Sequence, residues 1–303
     1  MEIKEWKRDD DEYQGIDTEI CFPEDPTQVP DVCVYLLAGN DPICYSRIPA
    51  IEFVKRRNGG KPYWINLKAD PAYQSISNTT VPGSVLLNVG FCPVKSVDDH
   101  VMSWQKQRQE ALTTSYYELR VHVYQASDLP PADDDGSLDP YLKIKFADQK
   151  SNWKRKYIPN TRDPVWYCTE VFSNLLLPPR QYMPRIAITV WDHDKVRSDD
   201  KIGHIWFSPC DDRMIVDRAP TAMLPKPEWY PLCFEDGTKQ PDGKLLLNFQ
   251  LLPAGSGVSS LPEPLSIAPP MKNAWVEIVA LGLRKLKPSG IISKKATRPF
   301  MRF

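Results

Sequence analysis

Two acidic segments are the residues in this 303-residue chain whose type and spacing suit metal chemistry. They read ASDLPPADDDGSLDPYLKIKF and TVWDHDKVRSDDKIG. The first supplies Asp133, Asp134, Asp135 and Asp139, and the second supplies Asp192, Asp194, Asp199 and Asp200. Calcium takes about 6–8 oxygen ligands, and carboxylates on flexible loops supply them. Unpaired carboxylates at this density repel one another. Either segment alone can be a solvated turn, but the two together favour a calcium site.

Four lysines form a second candidate cluster. Lys143 and Lys145 alternate along one predicted strand and therefore share a face, and Lys154 and Lys156 do the same on the strand predicted to follow. Near an anionic leaflet each such lysine contributes on the order of 1 kcal/mol to binding. The alternative interpretation is that strand lysines only keep an exposed face hydrated.

A β-sheet domain has to position both clusters. Leu119, Val121 and Val123 alternate with polar residues, which is typical of a half-buried strand. Further strands are predicted at Tyr141–Phe146, Lys154–Ile158, Ile186–Trp191, Gly203–Phe207 and Lys244–Leu251. The 30 prolines against 14 glycines favour short strands and stiff turns over long helices. About eight short strands predict an all-β fold, an eight-stranded antiparallel sandwich preceded by a smaller β-rich segment and a connector helix.

The predicted domain organisation has six parts. They are an acidic arm (1–29), a β-rich segment (30–95), a helical connector (96–113), the sandwich (114–253), a Pro/Gly/Ser-rich linker (254–272) and a tail that begins a new strand pattern (273–303). The β-rich segment has strand motifs in the same order as the second half of the sandwich, which indicates either a partial repeat or coincidence among β-rich segments.

Composition excludes several function classes. Lysine plus arginine number 38 and aspartate plus glutamate 39, so no global field favours nucleic acid. No apolar run is long enough for a membrane-spanning helix, and the charged N-terminus does not resemble a secretory signal. The seven cysteines include no CxxC pair, which favours free thiols in a reducing cytosol. The four histidines accompany no GxSxG, P-loop or HExxH motif, so no enzyme is expected.

The strings DLPPADDDGSLDPYLKIKF, NTRDPVW and VWDHDKVRSDDKIG resemble a C2 domain. The resemblance implies that five aspartates at the domain apex hold Ca²⁺: Asp133, Asp139, Asp192, Asp194 and Asp200. Asp199 matches no position of that set. The closing strand GKLLLNFQLLP lies at the C-terminal end, which resembles the permuted topology of protein kinase C and phospholipase C.

The same resemblance assigns a lipid site and a membrane contact. In conventional protein kinases C, similarly placed lysines bind phosphatidylinositol bisphosphate together with a tyrosine and a tryptophan. The corresponding residues here are Lys143, Lys145, Lys154, Lys156, Tyr141 and Trp191. Asp199 stands where that family has asparagine. The tip of the second acidic segment, Val196–Arg197, is the expected membrane contact, and its modest apolar area predicts shallow, salt-sensitive binding.

The flanks PDVCVYLLAGNDPICYSRIPA and WVEIVALGLRKLK resemble ferlins, which are large proteins of vesicle fusion and membrane repair with several C2 domains. An internal fragment or a shortened product is therefore expected. The resemblance implies calcium-dependent binding to anionic phospholipid (phosphatidylserine and phosphoinositides), with other ferlin domains or fusion proteins as further partners. The expected localisation is cytoplasmic, at the membrane periphery once calcium binds. The alternative is a protein-interaction scaffold in which calcium is structural or unbound.

Overall fold

The computed structural model describes most of the chain, in blocks separated by gaps. These residues are 23, 25–54, 61–70, 83–89, 97–132, 138–194, 198–216, 224, 226–234, 237–255, 261–279 and 281. The chain divides into two units, residues 1–268 and 269–303. Within the described blocks no helix is long and apolar enough to cross a membrane.

A small antiparallel sheet opens the first unit. Its strands pair in chain order: β1 (Val32–Ala38), β2 (Asp41–Ile48), β3 (Tyr63–Ala69) and β4 (Gly83–Leu87). A short helix, α1 (Ala50–Val54), follows β2. Val29, Ile48 and Ala50 form a small buried cluster on this sheet. The alternating apolar residues of 30–95 therefore form strands, whereas the interpretation of this segment as a partial sandwich stays a prediction.

The connector is a helix, α2 (Val97–Leu112). Its Glu110 accepts a hydrogen bond from the Tyr182 hydroxyl at 3.1 Å. From the small sheet, the Trp64 indole donates to the Tyr182 carbonyl at 3.3 Å, and Arg185 donates to the Trp64 carbonyl at 2.8 Å. Tyr182 and Arg185 lie just before a sandwich strand, so these bonds join the small sheet and α2 to the sandwich.

Nine strands are found in the described residues of the sandwich. They are β5 (Ser115–Ser127), β6 (Pro140–Phe146), β7 (Gln149–Asn152), β8 (Val165–Leu177), β9 (Ile186–Asp192), β10 (Asp200–Phe207), β11 (Ile215–Val216), β12 (Glu228–Cys233) and β13 (Lys239–Pro253). Eight follow the order β7-β6-β9-β10-β12-β13-β5-β8 with antiparallel neighbours, and β11 pairs in parallel with β13. Because β10 meets β12 only at His204 and Cys233, the sheet divides there into two four-stranded halves.

One apolar core fills the space between the halves. Leu119, Val121 and Val123 of β5 are fully buried, as the alternating pattern predicts. The Phe207 ring of β10 stacks on Phe249 of β13 with centroids 4.0 Å apart. The predicted all-β, eight-stranded antiparallel sandwich is confirmed, and the closing strand β13 lies between β12 and β5.

A polar layer covers the opposite face of β5, which the sequence pattern did not indicate. Arg120 pairs with Glu118 at 2.7 Å and also donates to the carbonyl of Pro262. The fully buried His122 contacts Thr169 and Gln250 at 2.8 and 2.9 Å. Residues 261–268 therefore pack back against the sandwich.

The predicted strand Lys154–Ile158 is wrong. Lys154–Lys156 forms a 3-10 helix instead, and the edge strand β7 ends at Asn152. The Asn152 side chain accepts from the Lys154 backbone N–H at 3.0 Å, and buried Trp153 donates from its indole to Glu170 at 2.6 Å. The anchored indole turns the chain at this point, so the alternating lysines reflect a solvated turn.

The described part of the second unit, residues 269–279 and 281, contains no strand, although alternation around Val276 and Ile278 favours one. Trp275 is 93% exposed and Val276 75%. Isolated strands are not stable without paired neighbours, which explains the difference.

Candidate functional site

Strand register brings the two acidic segments together at one end of the sandwich. Pro140 of β6 lies opposite Asp192 of β9, and Asp192 in turn lies opposite Asp200 of β10. Asp139 immediately precedes β6 and Asp194 follows β9 by two residues. Four of the five aspartates predicted to bind calcium therefore lie at the same end, although they come from segments more than fifty residues apart.

Asp139 and Asp192 are in direct contact. The Asp139 backbone N–H donates to Asp192 Oδ1 at 2.7 Å, and the His193 N–H donates back to the Asp139 carbonyl at 3.0 Å. Asp192 is 4% exposed, whereas Asp200 is exposed. The two loops are therefore fixed to each other through backbone hydrogen bonds at their bases.

The loop between β7 and β8, which contains the NTRDPVW motif, also supports this end, a role that the sequence did not indicate. The Asn160 backbone N–H donates to Asp139 Oδ1 at 2.8 Å. Asn160 adopts a positive φ of 51°, a conformation that asparagine tolerates better than most residues. Asp163 accepts from the Asp128 N–H at 2.9 Å. The turn-forming run Asn-Thr-Arg-Asp-Pro was the available signal.

The tips of the two acidic loops lie outside the described residues. Asp133 lies in the undescribed residues 133–137, and the expected membrane contacts Val196 and Arg197 lie in 195–197. In the blocks that are described, no three His, Cys, Asp or Glu side chains come close enough to hold a metal ion. By donor type the carboxylates match the oxygen ligands that calcium prefers. Without the residues of the first loop tip they do not form a complete coordination site.

Beside this end lies a second group, which we call the lysine face: Tyr141, Lys143, Lys154 and Trp191. Tyr141 and Trp191 are direct cross-strand partners on β6 and β9. Lys143 lies two residues beyond Tyr141 on the same face, with its Nζ 3.4 Å from the Trp191 ring centroid. This is a cation–π contact, which favours the charged ammonium at the ring face. Burial nevertheless lowers the pKa of Lys143.

Asp199 joins the lysine face to the acidic end. Its carboxylate accepts from Lys154 Nζ at 2.7 and 2.9 Å, from the Tyr141 hydroxyl at 2.7 Å and from the Asp194 N–H at 3.2 Å. His193 Nδ1 lies 3.4 Å away. Burial raises the pKa of Asp199, but these hydrogen bonds outweigh it and hold the pKa well below its usual range. Asp199, which matched none of the five predicted calcium ligands, therefore has the most polar contacts in the cluster.

Tyr141 is fully buried at the base of the lysine face. Burial, together with the hydrogen bond to Asp199, raises the pKa of its phenol. The Tyr157 and His193 rings pack edge to face beside it, with centroids 4.6 Å apart. Tyr141 is therefore a neutral hydrogen-bond donor at any ordinary pH.

The other two candidate lysines are separate from this cluster. Lys145 is exposed near the far end of β6. Lys156 lies over the Trp153 ring at 4.7 Å and contacts the Cys168 thiol at 3.4 Å. Because Lys154–Lys156 is helical, Lys154 and Lys156 do not share a strand face. The structure therefore groups Tyr141, Lys143, Lys154 and Trp191 but not Lys145 or Lys156.

Comparisons with known proteins agree with this architecture. Residues 117–232 match the family model described as C2 domain. Myoferlin of Homo sapiens is 29% identical over 188 residues, which cover 56% of this chain and 9% of myoferlin. Fer-1-like protein 4 of Mus musculus is 36% identical over 85 residues, 28% of this chain and 4% of that protein. The chain thus matches only a small fraction of these relatives' length.

Among solved structures, a C2 domain of plant extended synaptotagmin 1 is similar, with a TM-score of 0.36 and 20% identity over 47% of this chain and 98% of that one.

Proposed function

We propose that the chain binds anionic phospholipid in a calcium-dependent manner, because residues 117–232 match the C2 domain family model and parts of the chain are similar to myoferlin and Fer-1-like protein 4. The observation that carries the proposal is the convergence of two acidic loops at one end, where the Asp139 N–H donates to Asp192 and Asp200 lies opposite Asp192. An anionic end of this kind repels an anionic membrane until a cation neutralises it.

The proposed calcium ligands are Asp139, Asp192, Asp194 and Asp200, completed by Asp133 from the first loop tip. When bound, calcium supplies positive charge, and lipid phosphate oxygens can complete the coordination of the ion. Backbone N–H groups hold one oxygen of Asp139 and one of Asp192, so these side chains need little reorganisation. The lysine face provides a second, calcium-independent contribution, and the proposed shallow membrane contact is Val196–Arg197.

The proposed cellular role comes from the similarity to ferlins. A ferlin-type C2 domain fits a role in membrane trafficking and vesicle fusion, at the cytoplasmic membrane periphery. Phosphatidylserine and phosphoinositides are the proposed lipids, and other ferlin domains or fusion proteins the proposed protein partners. We expect no catalytic activity.

The test is sedimentation of the full chain with phosphatidylserine vesicles, in calcium or in chelator, comparing wild type with Asp194→Asn. We expect wild type to pellet only with calcium and the variant to lose most of this pelleting. Asp148→Asn is the matched control, because Asp148 lies in the turn after β6, at the strand end away from the acidic loops. It removes the same charge and should behave as wild type.

Reciprocal linkage gives a second readout, because calcium should bind more tightly when vesicles are present. If neither wild type nor control pellets in any condition, the lipid proposal fails and a protein-interaction scaffold becomes the better account.

A further inference from the structure

We propose that Asp199 keeps the lysine face closed by acting as an internal ligand where a phosphate group would otherwise bind. The inference rests on the proposed function, in which this face contacts phosphorylated lipid headgroups. It adds a regulatory element: the headgroup has to displace a carboxylate of the protein itself before it binds Lys154 and Tyr141.

Two hydrogen-bond donors of the face, the Lys154 ammonium and the Tyr141 hydroxyl, already donate to Asp199. Both Asp199 oxygens accept from Lys154 Nζ, at 2.9 and 2.7 Å. The single hydroxyl proton of Tyr141 also goes to Asp199, at 2.7 Å. A phosphate at this position therefore finds Lys154 and Tyr141 engaged. Within the four residues of the face, only Lys143, stacked on Trp191, offers a positive charge that is not already hydrogen-bonded to Asp199.

Charge adds to this competition. A phosphate monoester carries about −1.5 to −2 charges near pH 7, and a carboxylate at the same place repels it. The Asp199 side chain is 11% exposed, whereas Lys154 is 45% exposed. The lysine is thus accessible from solvent, while the carboxylate lies beneath it and neutralises it.

Asp199 is also tied to the acidic end. It accepts from the Asp194 N–H at 3.2 Å and is adjacent in sequence to Asp200, and these two residues flank the second loop tip. The carboxylate that occupies the lysine face is therefore hydrogen-bonded to the base of the second acidic loop. The two proposed lipid contacts are coupled through one residue.

The test measures binding to phosphatidylcholine vesicles that contain phosphatidylinositol bisphosphate, with chelator present, so that calcium plays no part. Asp199→Asn keeps an acceptor for the Tyr141 hydroxyl and removes the charge. Removing this carboxylate should strengthen binding about fivefold, since a single charge close to an anionic membrane is worth on the order of 1 kcal/mol. Asp148→Asn, on the turn after β6, should change binding little because salt screens charges beyond about 10 Å.

A double variant identifies the mechanism. If Asp199 acts by engaging Lys154, then the gain of Asp199→Asn becomes clearly smaller in the Lys154→Ala background. A gain that persists undiminished there, or a gain equally large in Asp148→Asn, overturns the proposal. Weaker binding by Asp199→Asn also overturns it, because Asp199 would then position Lys154 for the ligand. Thermal melting checks folding, and Asp199→Ser serves as a second charge-free variant.

Two further arms complete the experiment. Soluble inositol trisphosphate distinguishes the headgroup from the bilayer: competition with vesicles supports headgroup recognition at the face, and a lack of competition overturns it. Phosphatidylserine pelleting with calcium is run in parallel. Suppose that wild type pellets with phosphatidylserine and calcium, but Asp199→Asn binds phosphatidylinositol bisphosphate vesicles in chelator no better than wild type. That result refutes this inference alone. If wild type pellets with neither kind of vesicle in either condition, the proposed function itself is refuted.

Discussion

Asp192 has two separable roles, and a pair of substitutions distinguishes them. It accepts the Asp139 backbone N–H at 2.7 Å, and it is a proposed calcium ligand. Asp192→Asn keeps an acceptor of the same shape but lacks the charge, whereas Asp192→Ala has neither. We therefore expect the alanine variant to lose stability with and without calcium, and the asparagine variant to lose mainly the stabilisation that calcium provides.

The magnitudes follow from the contacts. Removing the acceptor leaves the half-buried Asp139 N–H without a partner, which costs about 1–3 kcal/mol. Asp192→Asn exchanges a charge-assisted hydrogen bond for a neutral one, a loss of about 1 kcal/mol. Lower repulsion with Asp139 and Asp200 partly offsets that loss. Calcium at a hundredfold excess over Kd adds about 2.7 kcal/mol to wild type.

Urea denaturation of the full chain, followed by tryptophan fluorescence in calcium and in chelator, measures both effects. Wild type should gain stability with calcium, and both variants should lose that gain. In chelator, Asp192→Asn should stay within about 1 kcal/mol of wild type, with Asp192→Ala clearly below it. An asparagine variant that keeps the full calcium gain would refute the ligand role. Equal stability of the two variants in chelator would refute the role of the hydrogen bond.

Two further predictions concern the sandwich itself. Burial lowers the pKa of His122, whose ring contacts Thr169 and Gln250, so this residue should stabilise the fold above about pH 6.5 and lose its contribution as pH falls. In urea denaturation at pH 8, 6.5 and 5, the stability of His122→Gln should depend less on pH than that of wild type. An unchanged dependence of stability on pH would contradict this prediction. A Cβ at position 203 would lie 2.9 Å from Gln240 Nε2 and 3.2 Å from Leu232 Cβ, so Gly203→Ala should cost about 1–3 kcal/mol. Gly83→Ala is the matched control, since nothing lies within 4 Å of its Cβ, and equal losses in the two variants would contradict the steric explanation.

The sequence alone determined the class of fold, because strand periodicity and turn residues are local properties. Leu119, Val121 and Val123 alternate in the sequence and are buried in the core. The connector helix was predicted within a residue of α2, since its polar run lacks breakers. The spacing of the motifs also predicted which aspartates of the two acidic loops are candidate calcium ligands. Strand β7 and the turn at Lys154–Lys156 were not predicted, because the buried Trp153 that turns the chain depends on Glu170, a distant residue.

Tertiary structure alone decided which candidates meet. Register between β6, β9 and β10 places Asp139, Asp192 and Asp200 together, and the distances between strands are not encoded in any local pattern. Of the four candidate lysines, the lysine face contains Lys143 and Lys154 but not Lys145 or Lys156. Asp199 was not among the predicted ligands, yet its carboxylate contacts Lys154, Tyr141 and the second acidic loop. A sequence pattern indicates the type of a side chain and the face on which it lies. The contact between Lys154 and Asp199, which are 45 residues apart in sequence, depends on how the sheet packs.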